Sequence, residues 1–420
     1  MIRILTLYSP FETPKQVNDR WGPFLNKLQK DHGHDVVGAG SWNDPHPLQE
    51  ALLAPGSCPQ GLILVMASGG TERLAHLVAK TYRKPLMLVC DGRKNSLAAA
   101  LEVYSVIRHK IPAWLFYVDD HQQTPSLVVD FIKSIKALEN INRARLGVIG
   151  EPSPWLLTSD ELKGFGGFST TLVHLPIGRL LQEYQVIETQ QAESISNTLD
   201  DEYGSIQVSR QSVVDSSRAY LAMRSIISSH RLDGITIRCF DLLPHGFTAC
   251  MGMSLCADQG YVAACEGDLP AMFSLLLARE LSGQPAWMAN PSSVDLENNT
   301  ITFAHCTLPA SMLEGKKHST LTTHMESGLS TAISGPLKMR EVTIIRCAST
   351  FDSLQVSSGH IVNAHLQHPD LCRTQAVIKL HSKVSDWLEN VRGNHQIIIY
   401  GNLMPELEVF SRLAGMNIER

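Results

Sequence analysis

The chain has 420 residues, 44% of them hydrophobic, and a mean hydropathy of -0.04, which excludes a disordered protein and leaves room for two or three domains. Its formal net charge of -5, without a basic block, speaks against a nucleic-acid or anionic-membrane surface. No apolar run approaches the length of a bilayer span, and the first one, within Met1–Pro10, is too short for a secretory signal and reads as a strand. The nine cysteines are odd in number and irregularly spaced, with no Cys-x-x-Cys pair. They read as free buried thiols in a reducing compartment, so a cytoplasmic protein is expected.

The first third alternates apolar strands with helical patterns. Ile2–Leu7, Gln60–Ala67, Pro85–Cys90 and Ala113–Val118 read as strands, and Thr71–Tyr82, Asn95–Arg108 and Leu127–Asn140 as helices. Short continuous apolar strands between helices predict a parallel sheet covered on both faces. Ser68-Gly-Gly-Thr71 lies between strand and helix and reads as a tight turn rather than a phosphate loop. A second alternation begins near residue 143. Leu146–Ile149, Thr171–Leu175, Gly234–Phe240 and Tyr261–Cys265 are strand candidates, with a long helical pattern over Ser212–His230. Beyond about Ile301 the pattern turns β-rich, with Asn299–Phe303, Val342–Cys347, Gln375–Leu380 and Gln396–Tyr400 as strands and Val384–Val391 as a helix. The expectation is an α/β protein: a doubly wound domain over 1–142, a second over 143–300, and a β-rich sandwich or barrel over 301–420.

The stretch Gly260–Gly283 concentrates the chemistry. Glu266 follows a buried strand and precedes a helix that Asp268 and Pro270 begin and Gly283 ends. Open α/β sheets bind their ligands at such carboxyl ends. By position alone, Glu266 is as readily a solvated loop acid as a functional one.

Seven short segments in order carry a resemblance: Gly150-Glu-Pro-Ser-Pro-Trp-Leu156, Glu266-Gly-Asp268, Met288-Ala-Asn-Pro291, Ala304-His-Cys306, His324-Met-Glu-Ser-Gly328, Cys372-Arg-Thr-Gln375 and Gly393-Asn-His395. Together they resemble the L-fucose isomerase and L-arabinose isomerase superfamily, most closely its fucose-isomerase-related branch. The resemblance implies aldose–ketose isomerisation with a divalent metal, Mn²⁺ before Mg²⁺ or Co²⁺. It also implies a free or acid-bearing monosaccharide as substrate, and a homo-oligomer, trimer or hexamer. Moving a proton between C1 and C2 through an ene-diol needs a base at carbon and a cation on the two oxygens. On the resemblance, Glu266 is a metal ligand and acid/base, and His395 is the C-terminal ligand.

One departure is Asn290, which stands where the resemblance expects a second carboxylate; an amide can ligate a metal but cannot take up the substrate proton. Three readings stay open. Another carboxylate (Asp268, Asp295 or Glu326) takes the role, Glu266 carries the proton alone, or the protein does related chemistry or none. His305 matches a ligand of the arabinose branch or supports the ligands from behind, and His324 and Glu326 have a similar supporting place. Arg238 grips an anionic substrate group or pairs with an acid such as Asp241. Trp155 is a wall for a sugar face or a core residue, and Arg373 is a substrate-facing or structural cation. A silent sugar-binding or regulatory protein is the alternative, and a cysteine epimerase using Cys90 and Cys239 a third reading. The sugar itself is not legible, phosphorylated and sulfonated ones included.

Overall fold

The computed structural model describes residues 1–53 and 58–420 and divides into two compact units, Met1–Glu139 with Pro405–Ala414, and Asn140–Met404 with Gly415–Arg420. The first unit is built on five strands, β1 (Ile2–Leu7), β2 (Val36–Trp42), β3 (Gly61–Met66), β4 (Leu86–Cys90) and β5 (Ala113–Tyr117), all parallel in the order β2-β1-β3-β4-β5. Alternate side chains of one strand feed opposite cores. Ile63 and Val65 pack with Trp21, Phe24 and Phe131, whereas Leu62 and Leu64 pack with Leu74, Val78 and Val103. This is the sheet covered on both faces that the apolar strands predict.

Sequence patterning leaves out the helix Pro14–His32 and β2. The helix opens with a Thr13 and Gln16 capping box, and β2 carries Gly38 and Gly40, which break its apolar run. Ser68–Thr71 is the expected tight turn: Gly70 takes φ +80°, and Thr71 Oγ1 donates to the Ser68 carbonyl at 2.7 Å. Residues Pro405–Ala414 belong to this unit although they follow the β-rich region. Their Val409 and Leu413 join the core of β1 and β3, and Arg412 lies over the Trp114 ring at 4.9 Å.

The second unit contains another parallel sheet of β6 (Arg145–Ile149), β7 (Thr171–Leu175), β8 (Gly234–Ile237) and β9 (Val262–Cys265), in the order β9-β8-β6-β7. β8 is shorter than the sequence suggests, because Cys239–His245 turns into a 3-10 helix containing Pro244. Six of the later strands belong together: β10 (Trp287–Asp295), β11 (Thr300–His305), β12 (Glu341–Cys347), β13 (Ser353–Asn363), β14 (Thr374–Leu380) and β15 (Gln396–Tyr400). They pair antiparallel in the order β12-β15-β10-β11-β14-β13, and β12 pairs with β13 to close a barrel. The sandwich-or-barrel question is thus decided for the barrel, which closure frees of open edges. Its interior holds Trp287, Ile301, Phe303, Ile344, Ile378 and Ile398. A joint with the parallel sheet is made by the helix Leu269–Ser282, whose Ser274 Oγ accepts from the Cys347 amide at 2.9 Å.

Phe303 is fully buried and meets Trp387 edge-on at 6.3 Å. Phe303→Ala should destabilise the second unit by about 3–5 kcal/mol, measured as a lower urea midpoint.

Candidate active site

The strand β9 is apolar and buried, and Glu266 and Gly267 follow it with φ of +64° and +78°. Two successive left-handed residues turn the chain abruptly from strand to helix. The first is a non-glycine residue, a strained conformation of the kind that gathers at functional sites. Gly267 is required here, since a Cβ would lie 2.6 Å from Pro152 Cα, and its N–H donates to Thr236 Oγ1 at 3.1 Å. The Glu266 carbonyl accepts from the Ser153 amide at 2.8 Å, tying the Pro-rich turn after β6 to the turn after β9.

Asp268 then caps the helix Leu269–Ser282, its Oδ1 accepting from the Ala271 amide at 2.9 Å. It is fully buried and meets Arg346, also fully buried, through Nη1 at 3.0 Å to Oδ2 and Nη2 at 2.9 Å to Oδ1. His395 Nδ1 lies 2.8 Å from the same Oδ2. Burial alone would raise the Asp268 carboxyl, but the Arg346 and His395 contacts outweigh it and hold it well below the usual carboxylate range. An ionised carboxylate only accepts, so His395 Nδ1 carries a proton, and in the neutral imidazole the lone pair is on Nε2.

That Nε2 is buried, has no hydrogen-bond partner among the described residues, and faces Glu266 Oε2 at 3.9 Å. Trp155 Nε1 donates to the same oxygen at 2.7 Å, its ring meeting Phe240 edge-on at 5.1 Å, and Phe240 meets His324 at 6.1 Å. On the other side, the His305 and His395 rings are 5.6 Å apart. Glu266, His395, His305, His324, Phe240 and Trp155 therefore form one connected group, and His305 and His324 are close enough for one charge to act on the other. Burial drives the His305 imidazole down to about 3, so it is neutral at ordinary pH.

The remaining candidates have partners of their own. Asn290, on β10, is half-buried, and its Oδ1 accepts from Asn394 Nδ2 at 3.4 Å. Arg238 pairs with Asp241 at 3.1 Å, the acid-pairing alternative of the sequence. Arg373 donates to the Thr323 carbonyl at 2.8 Å and to Thr323 Oγ1 at 3.2 Å, and no carboxylate among the described residues neutralises it. It lines a cavity of about 240 Å³ with Gln207, Thr320, Thr322, Ser334 and His368. Of the substitutes for the missing carboxylate, Asp268 is committed to Arg346 and His395. Asp295 is exposed and holds the Asn298 turn at 2.9 Å. Glu326 is exposed, and its charge, like that of Glu266, acts on the Cys372 thiol. Among the described residues no three His, Cys, Asp or Glu side chains converge as an all-protein metal cage would require.

Sequence reasoning did not single out Arg346, which sits in a strand that reads only as apolar; a lone arginine in Val342–Cys347 is the signal it offered. It also left the thiols apart. Cys239 and Cys265 approach to 3.2 Å between sulfurs, and Cys306 is hydrogen-bonded with Cys250 and Cys372. All nine cysteines are free, and seven are buried. Cys90 is one of them, pushed up to about 12 by burial, which suits a core thiol and not a nucleophile. No helix among the described residues is long and apolar enough to cross a membrane.

No family model matches the chain. It is similar to the sulfoquinovose isomerase of Priestia megaterium, 25% identical over 343 residues that cover 77% of this chain and 75% of that one. The sulfoquinovose isomerase of Alkalicoccus urumqiensis is 25% identical over 322 residues, 69% of this chain and 66% of that one. That of Clostridium sp. (strain MSTE9) is 20% identical over 391 residues, 86% of each. Among solved structures, a sugar ABC transporter sugar-binding protein from Bacillus halodurans aligns over 70% of this chain and 90% of that one at 13% identity, with a TM-score of only 0.17.

Acid should weaken the second unit in two stages. His305 has its folded value at about 3 against 6.5, so the unfolded chain binds this proton first, and stability falls as pH drops from about 6.5 toward 3. Asp268 is held below the ordinary aspartate value of 3.8, so its contribution is present above that pH and is lost as pH falls further. Urea midpoints of chelator-treated protein against pH should follow this course, and His305→Gln should flatten its upper stage.

Proposed function

We propose that the chain interconverts a sulfonated aldose, of the sulfoquinovose kind its relatives are named for, and the corresponding ketose, with Glu266 carrying the proton between C1 and C2. The chain is an isomerase acting on a sugar, an intramolecular oxidoreductase; the sulfonated substrate and the cation are the finer parts of this reading. One observation carries it: the Glu266 carboxylate oxygen and the buried, unpartnered Nε2 lone pair of His395 face one another at 3.9 Å. Two acceptors aimed at each other call for positive charge between them.

That separation is one that two ligands of a single divalent ion can have, bonds to such ions being about 2.1 Å. Glu266 and His395 would suit Mn²⁺, with Mg²⁺ or Co²⁺ as alternatives, and the Asn290 amide oxygen would be the third ligand in this reading. When bound, the ion would draw electron density from the sugar oxygens on C1 and C2, the carbons between which the proton moves. The protein's own part is to hold and move that proton. Trp155 fixes one Glu266 oxygen by its N–H, and the left-handed backbone at φ +64° turns the chain between the strand and the helix it precedes. Asp268, bound to Arg346 and His395, is not free to share the transfer. Glu266 acting alone is thus the reading of the Asn290 replacement that the contacts favour.

Of the two candidate arginines, Arg238 already faces Asp241, while Arg373 binds only neutral oxygens. A guanidinium without a matching carboxylate suits a sulfonate, which accepts in the same forked geometry. The homo-oligomer, trimer or hexamer, belongs to this reading and is checked by light scattering.

In D₂O with Mn²⁺ and sulfoquinovose, deuterium should enter C2 of the aldose, and Glu266→Gln should slow this by about 100- to 10,000-fold. Exchange that survives the substitution would remove Glu266 from the reaction. Sugar binding without exchange in the wild type would favour a binding protein. Arg373→Gln should raise KM for the sulfonated sugar by about tenfold or more and leave its unsulfonated counterpart little affected; an equal loss on both would overturn the sulfonate role.

A further inference from the structure

The three histidines of the site do not hold their protons alike. His395 has its proton on Nδ1, directed at Asp268 Oδ2 at 2.8 Å, and offers a lone pair from Nε2. His305 is wired the other way. The backbone N–H of Thr307 reaches His305 Nδ1 at 3.3 Å, and Thr307 Oγ1 lies 2.8 Å from the same nitrogen. A backbone amide can only donate, so Nδ1 is the acceptor and the ring proton is on Nε2. His324 repeats the device: the Ser327 N–H reaches its Nδ1 at 3.4 Å and Ser327 Oγ stands at 2.9 Å. In both cases a hydroxyl residue two or three positions on directs its own backbone N–H at the ring Nδ1. His305 and His324 are 5% and 9% exposed, yet neither Nε2 is among the sealed, unpartnered nitrogens, as that of His395 is.

We propose that His305 and His324 are Nε2–H donors to substrate oxygens, and that His305 is a catalytic residue of this kind instead of a ligand to the cation. The inference rests on the isomerase reading above and deepens it. An ene-diol reaction develops negative charge on oxygen, and a pre-oriented N–H in a site with little water stabilises that charge without reorganising. His305 is the better placed of the two, its ring lying against His395, whose Nε2 faces Glu266. His324 reaches the same group from the far side, through Phe240 and Trp155. The site therefore divides its imidazoles by tautomer. One presents a lone pair, and two present N–H. A nitrogen that carries its proton has no lone pair for a metal, so the division decides which histidine can be a ligand.

The test is nitrogen-15 NMR of histidine-labelled full-length protein, in chelator and with saturating Mg²⁺, a diamagnetic ion, assigned with His305→Gln and His324→Gln. The proposal expects ring signals of the Nε2–H form at both residues in both conditions, and a shift of both Nε2–H protons when sulfoquinovose is added. A proton on Nδ1 of His305, or a His305 signal that moves to a ligated form with Mg²⁺, would overturn it. So would Nε2–H protons that do not respond to a sugar the protein binds. In parallel, His305→Ala should keep the wild-type Mn²⁺ stoichiometry while slowing C2 exchange by about 100-fold or more, with part of the rate restored in His305→Gln, whose amide still donates. Loss of Mn²⁺ in His305→Ala would make it a ligand. If wild-type protein exchanges no sugar hydrogen, the isomerase reading fails by itself. The tautomer, ion and sugar responses in the NMR experiment still decide the donor assignment.

Discussion

The candidate site depends on the Asp268 carboxylate. It is fully buried, and such a charge is tolerated only with its lone pairs filled, here by Arg346, by the Ala271 amide and by His395. Each of these partners comes from a different place: the barrel strand β12, the first turn of the helix Leu269–Ser282, and the residue just before β15. One carboxylate therefore caps a helix, pins the barrel to the end of the parallel sheet and sets the His395 tautomer. Gly393, at φ +152°, shows how tight the arrangement is, since a Cβ there would lie 2.8 Å from Arg346 Nη2.

From that fixed point the rest of the site follows by contact. With Nδ1 given to Asp268, His395 can offer only Nε2, and it offers it toward Glu266. Glu266 reaches this place because a four-residue strand ends one residue earlier and two left-handed residues turn the chain before the helix begins. The Pro152–Trp155 turn closes on it from β6, with the Ser153 amide on the Glu266 carbonyl and the Trp155 indole on its side chain. Rigidity of this kind suits proton transfer, which tolerates little error in the distance between base and carbon.

Much of this was legible in the chain. The apolar strands and the helices between them marked both parallel sheets, because continuous burial leaves a continuous apolar run. Glu266 and His395 were named by their motifs, and the structure brings their side chains together. What sequence missed has physical causes. The strand Ser353–Asn363 carries serines at buried positions such as Ser357, so its periodicity is weak. The helix Met404–Ala414 is ordinary in pattern but packs with strands from the beginning of the chain, a choice no local signal records. Arg346 looked like a stray charge in an apolar strand because its partner is 78 positions away.

The sequence by itself determined the elements, the two parallel sheets and the position of Glu266 at a strand end, since each follows from local periodicity, capping and turn chemistry. Tertiary structure alone decided that the β-rich part closes as a barrel, because closure depends on β12 finding β13 and not on any residue's own preference. It alone decided which acid is free and which is committed, and on which nitrogen each histidine holds its proton. Those are properties of neighbours brought together by folding, and a charge or a proton is assigned by what surrounds it.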